Sequence, residues 1–226
     1  MGTPTPEPPD TLPRPDENLI FGGAESVRTL DNATLIPVDG PAMSVAANSE
    51  LWIVNLDDAD VAPRTLRAEA NGSFEGTITG QVGDRIRIVT RTDSRHSLPL
   101  DGRVGTSVSG LGISQLPFEG LDCLTIEPAD LTALVDGKDT SKRFNVRSRC
   151  SEPVTLNAEL RFGDAGFALD TPATVAANGR AAITVNITRH DDAREHADIV
   201  LLDVESGSQR GRYALGIWSV ATSTLE

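Results

Sequence analysis

The chain has 226 residues, of which 38% are hydrophobic and 23% charged, and a formal net charge of −13. That composition is globular and long enough for one large or two small domains. The acidic excess argues against nucleic acid and against anionic lipid, because their phosphates would be repelled. Aromatic residues make up only 4%, so the cores must rest on Val, Ile, Leu and Ala.

The chain opens on TPTPEPPDTLPRPDE, residues 3–17, rich in Pro, Thr and acid. Such a stretch has too few apolar side chains to pack, so 1–17 reads as a disordered, extended tether. Met1-Gly2 and Leu225-Glu226 look like cloning residues. A tether at this position suits an exported protein, or a lipid-anchored one with its anchor trimmed. An ordinary disordered tail is the alternative. No run of about 20 apolar residues occurs, so no transmembrane segment is expected.

A first domain is expected over 18–103. Strands are predicted at 33–38, 50–56, 64–70, 73–79 and 84–91 from alternating apolar residues. In 50–56, Leu51 and Ile53 face one way and Trp52 and Val54 the other, so both faces should be covered. Asn71-Gly72 is a turn pair, because both residues tolerate positive φ. Residues 102–120, GRVGTSVSGLGISQLPFEG, are rich in Gly and Ser. The span 104–120 therefore reads as an interdomain linker with room for a short strand.

A second domain is expected over 121–220, followed by a tail at 221–226. Strands are predicted at 123–126, 143–149, 154–162, 167–169, 181–188, 198–204 and 212–219. Leu131, Leu134 and Val135 have helical spacing, which predicts one helical turn within 128–135. Seven strands in about 100 residues match an immunoglobulin-like sandwich. The expected fold is all-β: two tandem immunoglobulin-like β-sandwiches behind a disordered tether.

Cys123 and Cys150 are the only cysteines. Cys123 opens the first predicted strand of its domain and Cys150 closes the second. If those strands pair antiparallel, the two thiols become neighbours and a disulfide is expected. A bridge implies an oxidising compartment. Two buried thiols or half a metal site are the alternatives, although no Cys-x-x-Cys occurs.

Arg143, Arg147 and Arg149 alternate along one strand and so share its outer face, a basic stripe on an acidic protein. They are solvent-facing residues or an interaction site for a carboxylate or anionic glycan. Asp57, Asp58 and Asp60 offer hard oxygen ligands suited to calcium, or form a charged turn. His190, Asp191, Asp192, His196 and Asp198 have ligand-type side chains, but a solvated acidic loop accounts for them as well. No nucleophile elbow, zinc-protease helix or phosphate loop is present, so no enzyme is expected. Trp52, Trp218 and Tyr213 lie in predicted strands and read as core residues rather than a sugar-stacking platform.

Four stretches of the second domain carry a resemblance to a known family: LTIEPADL (124–131), FNVRSRCSEPVTL (144–156), GDAGFALD (163–170) and TVAANGRAAITVNIT (174–188). Together they resemble the hydin/spindle-type immunoglobulin-like domains, the ASH or choice-of-anchor type found in bacterial exported proteins. In the first domain, residues 68–97 are similar to the second half of bacterial adhesin-type immunoglobulin-like repeats. Both resemblances imply spacer, adhesion or docking roles. The expected function is thus an exported or surface-tethered structural or adhesion protein that binds a protein partner at the cell surface or envelope. Its location would be secreted, periplasmic or on the outer surface. A carbohydrate-binding or accessory module of a secreted system is the alternative. No cofactor is expected beyond the calcium considered at Asp57, Asp58 and Asp60.

Overall fold

The structure is a computed structural model. It describes residues 12–16, 20, 28–30, 33–92, 95–107, 110–115, 120–135, 138–189 and 196–221. Among them every regular element is a strand, and the chain divides into two compact units, Pro9–Pro117 and Phe118–Glu226.

The first unit contains β1 (Arg28–Leu30), β2 (Ala33–Pro37), β3 (Glu50–Asn55), β4 (Arg64–Arg67), β5 (Thr77–Thr79), β6 (Arg85–Thr92), β7 (Arg95–His96), β8 (Leu100–Ser107) and β9 (Gly110–Gln115). One sheet has the order β1-β2-β5; the other is β4-β3-β6-β8-β9, with β7 against β6. Placing β2 with β5, and β3 with β6 and β8, reproduces the B–E and C–F–G division of an immunoglobulin-like sandwich. Period-two alternation sends Ile36, Leu51, Ile53, Ile78, Ile86 and Ile88 into one core. Trp52 and Val54 point the opposite way and are also buried, so β3 is covered on both faces as its sequence predicts.

Two expectations for this unit need correction. The 104–120 linker is not a linker over most of its length. There β8 runs to Ser107 and pairs antiparallel with β9, from Gly102↔Gln115 to Ser107↔Gly110. A ladder uses backbone N–H and C=O groups, which Gly and Ser supply as well as any residue. The disordered tether also ends earlier than expected. Leu12 is buried, and its N–H donates to the His96 carbonyl at 3.1 Å. The Arg14 Nε donates to the Pro99 carbonyl at 3.0 Å, and the Asp16 N–H to the Ser44 carbonyl at 2.8 Å. The segment is thus held by one buried leucine and these three hydrogen bonds, and Pro13 and Pro15 bring no N–H donors that need partners. Residues 1–11 and 17 lie outside the described residues, as does the tail beyond Ala221.

The second unit contains β10 (Leu124–Glu127), β11 (Asp130–Val135), β12 (Thr140–Ser148), β13 (Val154–Leu160), β14 (Phe167–Asp170), β15 (Thr174–Val175), β16 (Arg180–Ile187), β17 (His196–Ser206) and β18 (Gln209–Ala221). The sheets are β10-β12-β16-β14 and β11-β18-β17-β13-β15. In strand letters these are A-B-E-D and C-F-G, the division of an immunoglobulin-like sandwich, extended by β15 beside β13. After β10 the chain passes a cis Glu127-Pro128 bond and crosses to the other sheet. There β11 runs parallel to β18, from Asp130↔Gly216 to Val135↔Ala221. The helical turn expected within 128–135 is therefore a strand. The two sheets close over Phe144, Val146, Ile183, Leu156, Leu202 and Leu215, among others.

Candidate functional site

The face of the β10-β12-β16-β14 sheet turned away from that core carries the candidate site. On β12, Phe144, Val146 and Ser148 are buried while Arg143, Asn145 and Arg147 are exposed. Arg149 follows the strand and is exposed as well. A strand rises about 3.4 Å per residue, so Arg143 and Arg147 stand roughly 14 Å apart along β12, and Arg149 lies one residue past its end. The register adds a fourth cation: Arg147 lies directly opposite Arg180 of β16, with Thr125 of β10 on its other side. Directly opposed residues hold their Cβ atoms about 4.5–5.5 Å apart. A single strand read in isolation does not reveal Arg180, because register is a property of the pair.

None of these four guanidiniums has an ion pair with a described carboxylate, although other arginines do. Arg87 holds Asp101 through two bonds of 2.7 and 2.8 Å. Arg212 holds Asp203, Arg91 holds Glu50, and Arg85 holds Asp57. On the same face, Ser141, Asn186 and Ala168 form the next row across β12, β16 and β14. They line an open depression of about 390 Å³ together with Asp139 and Thr188. Its rim is fixed by the Arg189 N–H, which donates to Asp139 Oδ1 at 2.9 Å.

At the other end of the row Cys123 and Cys150 form a disulfide, with an S–S distance of 2.06 Å and Cα atoms 4.9 Å apart. Leu124 pairs with Ser148, so the antiparallel register brings the two cysteines together. The Arg149 N–H donates to the Cys123 carbonyl at 2.7 Å, which fixes the backbone that carries Arg149.

The remaining sequence candidates are dispersed. The Asp57 carboxylate receives the Arg85 N–H at 2.7 Å and Arg85 Nε at 3.0 Å. Asn55 Oδ1 accepts the N–H groups of Asp57 and Asp58, and Asp58 Oδ1 accepts that of Asp60. The segment proposed for calcium thus has the bonding of a charged turn, with one carboxylate occupied by Arg85. Among the described residues no three His, Cys, Asp or Glu side chains converge to hold a metal ion. His190, Asp191 and Asp192 lie outside the described residues. His196 Nδ1 is 3.2 Å from Asp164 Oδ2. Asp198 is buried and accepts N–H groups from Phe162, Asp164 and Ile199 at 2.9, 2.9 and 2.7 Å. Burial pushes its carboxyl above the ordinary range, and those three bonds oppose the shift. It holds the turn between β13 and β14. Trp52, Trp218 and Tyr213 are all buried, at 7%, 2% and 5% exposure, so they form no surface platform.

Strand order, register and bridge together define the class: an all-β protein built from immunoglobulin-like sandwiches. No protein-family profile and no curated protein matches the chain. Similar solved structures include WR4, a C. elegans MSP family member, at 11% identity over 45% of this chain and 100% of that one, TM-score 0.35. The ASH/PapD-like domain 7 of human CEP192 matches at 8% identity over 47% and 89%, TM-score 0.39. The Vibrio cholerae VesB protease matches at 13% identity over 79% and 64%, TM-score 0.38. The sandwich assignment rests on the strand order itself rather than on these likenesses.

Proposed function

We propose that this is an exported or surface-tethered structural or adhesion protein whose β-sandwich domains present sheet faces to protein partners. One observation carries the reading: three exposed arginines on one sheet face and a fourth, Arg149, just past the end of β12, none paired with a described carboxylate. Exposed cations without an ion pair to a described carboxylate are candidates for contacts with another chain. The disulfide supports an oxidising compartment. The resemblance of the second unit to ASH-type domains, and of the first to adhesin-type repeats, supports a docking role rather than a catalytic one. The carbohydrate-binding alternative loses its usual platform, because the two tryptophans and the tyrosine are buried.

Labelling intact cells with a membrane-impermeant reagent tests the location. The native protein is expected to be labelled; protection equal to that of a cytoplasmic marker overturns the reading. Cross-linking on those cells is expected to join the protein to a partner, and the adduct is expected to disappear in the triple variant R143A/R147A/R149A.

A further inference from the structure

We infer that the outer face of β10-β12-β16-β14 binds a carboxylate-bearing polypeptide segment, laid extended along β12. The inference rests on the reading that this sheet face meets a protein partner, and it adds the partner's chemistry.

The first argument is the pairing of Arg147 with Arg180. Like charges directly opposite on neighbouring strands destabilise a sheet. Here the register sets two arginines directly opposite, and neither has an ion pair with a described carboxylate. An anion seated across both turns that repulsion into two charge-assisted hydrogen-bonding forks. Guanidinium is planar and matches the two oxygens of a carboxylate.

The second argument is the repeat. Side chains on one face of a strand recur about every 6.8 Å. Arg143 and Arg147 are two repeats apart with Asn145 between them, and Arg149 follows two residues on, just past the end of β12. An extended polypeptide has the same repeat because it has the same backbone. Acidic residues at positions i, i+2 and i+6 of such a segment meet Arg149, Arg147 and Arg143, while position i+4 faces Asn145, whose direct neighbour on β10 is the exposed Glu127. The Asn145 amide and the Thr125 hydroxyl supply neutral hydrogen bonds between and beside them.

The third argument is that the row is local. The rest of the chain brings the total to −13 and repels an acidic partner. With a Debye length of about 10 Å at 0.1 M salt, that repulsion is screened while direct contact is not. Binding should therefore be confined to this face.

Fluorescence anisotropy with the whole chain and a labelled peptide of alternating Glu and Thr tests the proposal. Saturable binding is expected, weakened about tenfold or more in R147A/R180A, whose exposed sites leave folding intact. R147K/R180K is expected to fall between, because charge remains while the planar fork is lost. R64A/R67A, two exposed arginines of β4, is expected to leave the affinity unchanged. Absence of saturable binding overturns the proposal. So does equal weakening in R64A/R67A, or tighter binding of a uronate polysaccharide than of the peptide. If the peptide fails while the cellular cross-link still depends on the arginines, this inference falls and the broader reading stands. If surface labelling fails, the broader reading falls whatever the peptide does.

Discussion

Asp198 occupies a position on β17 where the neighbouring inward residues are Val200 and Leu202. A carboxylate there is desolvated, and its two oxygens are retained by three backbone N–H donors. Burial raises its pKa above the ordinary 3.8, and the nearby Asp164 carboxylate adds to the rise. Between 3.8 and the raised value, the folded protein binds more protons than the unfolded chain. Stability from this group is greatest below 3.8 and falls as pH rises through that window. Asp198→Asn cannot ionise, so urea denaturation over a pH series should show the native chain's advantage shrinking as pH rises, then levelling. A difference independent of pH refutes the account. At neutral pH the variant gains by losing a buried charge but turns an amide NH₂ toward an N–H that had an acceptor. That mismatch costs about 1–3 kcal/mol. The sequence marks Asp198 only as one of several acidic residues; its burial follows from the alternation of β17 once that strand is placed.

At the scale of elements, the bridge between β10 and β12 is the clearest test. Closing a loop across a separation of 27 residues stabilises the second unit by about 3–4 kcal/mol in the chain-entropy model. The double variant C123A/C150A should lower unfolding stability by about that amount, read from urea titration. Intact mass should rise by two hydrogens on reduction, and a mass that does not move rules the bridge out. This pairing was legible because both cysteines flank clean alternating strands. One buried face makes β12 and β16 readable as a period of two, whereas β3, β6, β17 and β18, buried on both faces over much of their length, are readable as short apolar runs bounded by turns. β11 was not readable: Leu131, Leu134 and Val135 share a helical period, and only the parallel partnership with β18 makes the segment a strand. β9 was half legible: Leu111 and Ile113 alternate, but the surrounding Gly and Ser read as a linker with room for a short strand, and only the ladder with β8 places it. The arginine site was half visible, with three of its cations on one strand and the fourth contributed by a register that one strand does not encode.

Across the whole molecule two electrostatic effects have opposite signs. A net charge of −13 makes the compact state repel itself. The arginine row, by contrast, attracts acid at short range. Salt weakens both: the Debye length shrinks from about 30 Å at 0.01 M to about 8 Å at 0.15 M. The Arg85 and Arg87 pairs have buried guanidiniums and are screened little, and the more exposed pairs contribute little on average, so screening removes less stability than the relief of repulsion restores. The melting temperature of the chain should therefore rise with sodium chloride over that range. Affinity for the alternating acidic peptide should fall over the same range, because its contacts are the attractive ones. A melting temperature that falls with salt means that the ion pairs of Arg85, Arg87, Arg91 and Arg212 outweigh the global repulsion. Opposite slopes in one salt series separate the acidity of the whole chain from the local cationic face.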